Sequence, residues 1–401
     1  MTLPNILTWL IKGFLWSMIL LGGFAYLTLY ERKVLAAMQS RIGPNRAGPW
    51  GILQPIADAV KLIFKEELTP ANADKLIFLL APVITVVPAL VITAVIPFGP
   101  SFDIKGFHID LYIADINIGV LYIMAIASIS VYGIVLSGWS SNNKYAMLGG
   151  LRSTAQMISY EITLALTFIS AVILAGSMRM LDIVNNQSGS WWLIPKWFVF
   201  LQPVGAVIFF IATLAEVNRA PFDMPEAEQE LTAGYHTEFS GMKFALLFMA
   251  EYTKMIAVSA ILATLFFGGY LGPNVIQWLI NLNLPLVGHI FAFLQPAAPY
   301  IEPLQGLIWL VLKIAIILFG MIWVRATFPR IRYDRLMAFG WKVLLPVSLA
   351  LVFITALGVI LTNNDFNNPL IFIIPGGSLL VGLIAVAAID RALRRKDYAR
   401  H

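Results

Sequence analysis

The sequence contains no cysteine, which excludes a structural disulfide, a thiolate-held iron–sulfur cluster and a catalytic thiol on this chain. Histidine is almost as scarce. His108, His236, His289 and His401 stand far apart and form no helical i, i+4 ligand pair, so intramembrane haem ligation is not expected. Charge is the third shortage: 12% of the 401 residues are Asp, Glu, Lys or Arg and 59% are apolar, against about 25% charged in ordinary soluble domains. Most of this chain must be solvated by something other than water, and an integral membrane protein is the reading that follows. Nucleotide motifs are missing too. No Gly-x-Gly-x-x-Gly or Walker A pattern occurs, and GPNRAGPWG at Gly43 to Gly51 lacks the Lys-Ser/Thr that would reach phosphate and magnesium. Haem, flavin, iron–sulfur cluster and metal are therefore not expected here, and any redox centre belongs to a partner.

What is present is a series of apolar stretches long enough to cross a bilayer as helix, at about 20 residues each. Nine are read: 7–30, 76–98, 117–137, 154–176, 191–215, 242–267, 304–327, 338–361 and 370–389. Pro375, Gly376 and Gly377 interrupt the last. Lys and Arg concentrate in the connections after spans one, three, five, seven and nine, from Arg32 and Lys33 through Arg325 and Arg330 to Arg391 and Arg395. The positive-inside rule then puts the N-terminus outside and the C-terminus in the cytoplasm. This distribution also explains the pI near 9.3 without nucleic acid. The first helix is too long for a signal peptide and lacks a small-residue cleavage site, so it is expected to be retained. The expected fold is all-α: one integral membrane domain, a polytopic transmembrane helix bundle. On its inner surface Gly51 to Glu67 is amphipathic, with Ile52, Ile56, Val60 and Ile63 on one face. Outside, SFDIKGFHIDLYI alternates as a short hairpin around Lys105-Gly106.

Three stretches on the inner side carry unusual chemistry. In ERKVLAAMQSRIGPNRAGPWG, Glu31 to Gly51, the Gly-Pro pairs turn the chain, and Glu31 at a span's end requires a cationic partner. In GGLRSTAQMISYEI, Gly149 to Ile162, Glu161 sits about two turns into a span, where a carboxylate is paired, neutral or part of an ion path. Ser159 and Gln156 suit helix–helix hydrogen bonds. In the third stretch, AEVNRAPFDMPEAEQE, Ala215 to Glu230, five acids (Glu216, Asp223, Glu226, Glu228 and Glu230) gather against Arg219 alone, with Glu238 shortly after. A helix cap at Asp223 with Glu226 accounts for part of this, but Glu226 and Glu230 repel at i, i+4. Phe222 and its apolar neighbours imply that this acidic loop, 216–241, packs against something. Crowded carboxylates couple, and such a cluster takes up or releases protons when charge changes beside it. Glu251 and Lys254, three apart in span six, are expected to neutralise each other, and Lys313 has no acid near it in sequence.

Together these stretches, with NRAPFDMPEAEQELTAGYHTEFSGMKFALLFMAEY, resemble the complex I membrane subunit that abuts the peripheral arm, called the H subunit in bacteria and subunit one in mitochondria. The resemblance extends from Leu7 to about Leu361 and leaves the ninth span aside. It implies a subunit of proton-translocating NADH:quinone oxidoreductase in a prokaryotic plasma membrane, taking quinone (ubiquinone or menaquinone) from the bilayer. Its partners would be membrane lipid, the peripheral-arm iron–sulfur and quinone-site subunits, and small membrane subunits next to an antiporter-like chain. By the same resemblance Glu31, Arg32, Gln39, Arg41 and Arg46 would line or frame a quinone tunnel, with Phe222, Asp223, Glu226, Glu228 and Glu230 facing its chamber. Glu161, Glu216, Glu238 and Glu251 would begin a proton path. Two alternatives stand beside this reading: the equivalent subunit of an energy-converting hydrogenase, and a stand-alone proton or cation carrier.

Overall fold

The computed structural model describes residues 3–104, 107–191, 194–223, 233–273, 298–363 and 368–398. Helix α1, Leu3–Met38, has 36 residues and is about 54 Å long at 1.5 Å per residue, well beyond the ~30 Å of a bilayer core. Glu31 and Arg32 thus lie on the helix itself and not in a loop after it. The chain then turns through Gly48 and Gly51, both at positive φ; a Cβ at Gly51 would stand 2.2 Å from the Pro44 carbonyl oxygen. It enters α2, Gln54–Ile63, which leaves Ile56, Val60 and Ile63 exposed, with Ile52 just ahead of it, as a surface-lying helix does.

Helix α3, Lys75–Val91, is capped by Asp74, whose side chain accepts from the amides of Leu76 and Ile77. Strands β1, Phe102–Ile104, and β2, Phe107–Ile109, pair antiparallel at the far end of the bundle. Helices α4, Gly119–Ser140, and α5, Lys144–Ala175, return and cross again, and α5 ends on Gly176 in the left-handed region. The short α6, Met180–Asn186, follows, and Arg179 just ahead of it is held by the Asp115 carboxylate at 2.8 and 2.9 Å.

Where a fifth continuous span was expected over 191–215, the structure differs. Ser190–Trp191 (β3) and Ile194–Pro195 (β4) form a small hairpin, Phe198–Leu201 (α7) makes one turn, and only Pro203–Glu216 (α8) is a regular helix. Pro203 has no N–H to continue the ladder from α7, so the helix restarts there. At 14 residues, α8 is about 21 Å long, and its C-terminal connection, Val217 to Phe222, is buried among the other helices.

Helix α9, Gly241–Phe266, is the central element, buried over most of its length and packed on α3, α1 and α8. It also contacts α10, Ala298–Thr327. After α11, Tyr333–Phe339, a π-helical segment Gly340–Leu344 leads into α12, Leu345–Thr362. The last helix, α13, Ile373–Tyr398, packs on α12 and α8. Among the described residues eight helices are long and apolar enough to cross a membrane, with α8 as a shorter apolar helix beside them. The chain is an integral membrane protein built as an all-α bundle.

Candidate functional site

The short α8 ends inside the bundle, so its last turn and the irregular backbone after it need polar partners that lipid cannot supply. Gln156, on α5, provides them: its Nε2 donates to the carbonyls of Ala215 at 2.8 Å and Phe222 at 2.7 Å and lies 3.3 Å from Asn218 Oδ1. Asn218 Nδ2 in turn donates to Ser153 Oγ at 3.1 Å. Phe222 is buried against Tyr160, whose hydroxyl donates to the Leu336 carbonyl at 3.0 Å. Thus α5, α8 and α11 clamp the start of the acidic loop.

Around that clamp runs a chain of buried charges. The Glu216 carboxylate meets Lys254 Nζ at 3.0 Å, and the same ammonium lies 3.3 Å from Ser130 Oγ on α4. Glu251 accepts from the Tyr235 hydroxyl at 2.6 Å, lies 3.5 Å from His236 Nε2, and faces the Arg219 guanidinium at 3.5 Å. The expected neutralisation of Glu251 by Lys254 is therefore not what the fold makes. Each ion takes a partner from another segment, because α8 and its connection present Glu216 to Lys254 and Arg219 to Glu251, one turn apart on α9. Glu161 is half-buried and accepts from Ser128 Oγ of α4. It shares with Glu216 a small cavity of about 20 Å³, and a second cavity of about 20 Å³ is lined by Glu216, Lys254, Glu251 and Ser130. Each has room for one water molecule. Glu238, half-buried, accepts from Asn143 Nδ2 at 2.6 Å while Asn143 Oδ1 caps α5 through the Tyr145 amide. Glu161, Glu216 and Glu251 are thus brought together, and Glu238 stands at the edge of the group beside Tyr235 and His236.

A larger cavity, of about 480 Å³, lies between α1, α2 and α9. Its walls are mainly apolar: Phe24, Ala25 and Thr28 from α1, Leu62 from α2, Phe244, Ala245 and Phe248 from α9. Arg32 and Asp58, paired at 2.7 Å, supply a polar edge. Phe248 connects this cavity to the buried charges, since the Arg219 guanidinium stands 5.8 Å from its ring centroid and 4.2 Å from that of Tyr252.

The remaining site residues fall nearby. Glu31 is buried and paired with Arg325 of α10, the cation its position demanded. Asp223 lies 3.8 Å from Arg330, half-buried. Gln39 and Arg41 bond each other at 2.7 Å on the exposed surface, and Arg46 is exposed. Glu226, Glu228 and Glu230 lie outside the described residues. Lys254, Arg219, Tyr235, His236, Ser128 and Ser130 belong to this group without having been singled out as site residues. Their only signal in the sequence was polarity inside or beside apolar stretches, which does not tell a helix-to-helix pair from a local one. Lys313 meets no acid among the described residues: its Nζ donates to the carbonyls of Phe267, Gly269 and Leu271 at 2.7, 2.7 and 2.5 Å and caps the end of α9.

The family model described as NADH dehydrogenase matches residues 11–356. The H subunit of NADH-quinone oxidoreductase from Thermomicrobium roseum is 48% identical over 349 residues, covering 86% of this chain and 94% of its own. An H subunit of the same enzyme from Geobacter sulfurreducens is 47% identical over 350 residues, or 84% and 91% of the two chains. That of Rickettsia rickettsii is 49% identical over 341 residues, or 85% and 90%. With that likeness spanning α1 to α12 and the whole of the buried charge group, the chain belongs to the family of the NADH-quinone oxidoreductase H subunit.

Proposed function

We propose that this chain is the quinone-chamber membrane subunit of a proton-translocating NADH:quinone oxidoreductase, and that the 480 Å³ cavity between α1, α2 and α9 is part of its quinone path. One observation carries this reading: Phe248 is a wall of the cavity and also faces the buried charges, with the Arg219 guanidinium 5.8 Å from its ring centroid. An isoprenoid quinone is apolar along its tail and polar at its head, and a mainly apolar cavity with Arg32 and Asp58 at one edge suits both. Reducing the head places negative charge near Arg219 and Glu251, in surroundings of low dielectric, where a unit charge acts strongly. The response passes along Glu251, Glu216 and Glu161, which line two adjoining cavities, each sized for one water. Asp223, the first acid after the Arg219 turn, serves the quinone head, and Glu238 stands at the entry of the proton path. Gln39, Arg41 and Arg46, on the exposed turn after α1, serve the interface with the peripheral arm.

In this reading the end of the bundle that carries α2 faces the cytoplasm of a prokaryote, by the placement of Lys and Arg. The iron–sulfur and quinone-site subunits of the peripheral arm dock there, and small membrane subunits bind alongside α4 and α5, near Glu161. Electrons arrive from those partners, and this chain supplies the chamber, the orientation of quinone and the first proton carriers.

Ala245→Phe, which adds a ring to the cavity wall on α9, tests the reading. The assembled complex is expected to keep its NADH-dependent reduction of a soluble acceptor while KM for a long-chain quinone rises about tenfold, the effect of losing roughly 1.4 kcal/mol of binding. An unchanged quinone KM would reject the cavity as the path.

A further inference from the structure

We propose that Lys254 is a positioning residue for proton transfer: its ammonium holds the Glu216 carboxylate and must let go before Glu216 can carry a proton between Glu251 and Glu161. This rests on the proton-path reading above.

Glu216 is the wall common to the two small cavities, one shared with Glu161 and the other with Glu251. A proton crossing between these acids through single waters must occupy Glu216 on the way. That same carboxylate is held at 3.0 Å by Lys254, with both side chains less than a tenth exposed. A buried ion pair is costly to break by removing one partner, because the remaining charge is left uncompensated. The ammonium has other seats. Ser130 Oγ lies 3.3 Å away, and Glu251, one turn back on α9, lines the same cavity as Lys254. Glu251 in turn is held by Arg219, Tyr235 and His236, all on the connection between α8 and α9. Charge drawn toward the quinone cavity through Arg219 frees Glu251 as a second partner for Lys254.

The step balances as a proton transfer with no change of oxidation state. Protonated Glu251 gives its proton to the water in the cavity beside it as that water gives one to Glu216, so one O–H bond breaks at Glu251 and one forms at the Glu216 oxygen that Lys254 releases. The ammonium keeps its three hydrogens and moves toward Ser130 and Glu251. When Glu216 passes its proton to water on the Glu161 side, its regained negative charge draws Lys254 back. The cation thereby makes occupancy of Glu216 conditional on the state of Glu251.

The test compares four forms of the assembled complex: native, Glu216→Gln, Lys254→Met and the double variant. Infrared difference spectra read the carboxylic C=O stretch, and proton translocation per electron is measured in parallel. Without the ammonium, the buried Glu216 carboxylate loses its one ion-pair partner among the described residues, so Lys254→Met is expected to show a protonated-carboxyl band absent from the double variant. No such band should separate the native form from Glu216→Gln. Proton translocation per electron falls in Lys254→Met and is retained in Lys254→Arg. The same infrared difference in both pairs, or full translocation in Lys254→Met, would overturn the proposal. If Lys254→Met alone does not assemble, the double variant, which buries no unpaired charge, should restore assembly; its failure would show that Lys254 serves packing and overturn the proposal. Unchanged translocation in Glu216→Gln would instead sink the proton path itself, while the infrared comparison would still report whether Lys254 controls the proton on Glu216.

Discussion

Single side chains in this protein matter chiefly through who else is buried with them. Glu31 is 4% exposed and its Oε2 makes no hydrogen bond among the described residues, so its compensation there is the Arg325 contact from α10. Removing the cation alone strands the carboxylate. Arg325→Met is expected to cost about 3–5 kcal/mol, seen as loss of assembled complex on native gels, while Glu31→Gln with Arg325→Met recovers most of it. Equal loss in the single and double variants would show that Arg325 acts otherwise. Glu251 illustrates the same logic with more partners, since a hydroxyl, an imidazole and a guanidinium share its two oxygens. That it needs compensation was legible from the sequence, as a carboxylate inside an apolar stretch. Its partner was not, because helix spacing alone favoured Lys254 three residues on.

Helices and turns decide whether those side chains meet. Gly149 on α5 touches the turn that carries Tyr235 and His236: a Cβ there would stand 2.7 Å from Gly234 Cα and 2.9 Å from the Tyr235 nitrogen. Backbone cannot yield as a flexible side chain does. Gly149→Ala is expected to push that turn away from α5, loosen the Tyr235–Glu251 bond and cost about 1–3 kcal/mol. Thermal inactivation of the complex at lower temperature, together with slower quinone reduction, would record it; native stability and rate would show that the turn is not held by this contact. Small residues recur where α4 packs on α5, for Gly138 faces Ala146 and Gly150, and close approach of backbones is how helices associate without a hydrophobic drive between them. The break at Pro203 is the other decisive element. It shortens α8 and leaves a buried connection for Gln156 to satisfy, and so delivers Glu216 and Arg219 to the bundle interior.

At the scale of the whole molecule, α13 lies beyond the residues that the family model matches, and none of the site residues lies on it. It packs on α12 and α8, with Ile374 fully buried against Gly358 and Gly382 near Val204. Its contribution is to cover the start of the short α8, where Gln202 bonds Ser170 and Thr355. A chain truncated after Thr362 is expected to assemble with native quinone turnover but to inactivate at a lower temperature, as followed by residual activity after heating. Loss of turnover in the freshly assembled complex would place α13 in the working machinery.

Composition and periodicity alone pointed to the class of protein, an amphipathic helix within Gly51 to Glu67, the hairpin that β1 and β2 make, and Glu31 and Glu161 as carboxylates requiring an explanation. They did so because a bilayer tolerates few charges and only helices of a set length, so each exception stands out in one dimension. The tertiary structure decided which charges pair, that Lys254 belongs to Glu216 and Arg219 to Glu251, and that an apolar cavity adjoins them. Those pairings join segments tens of residues apart through a helix too short to span, and Coulomb energy depends on distance in space, which sequence separation does not report.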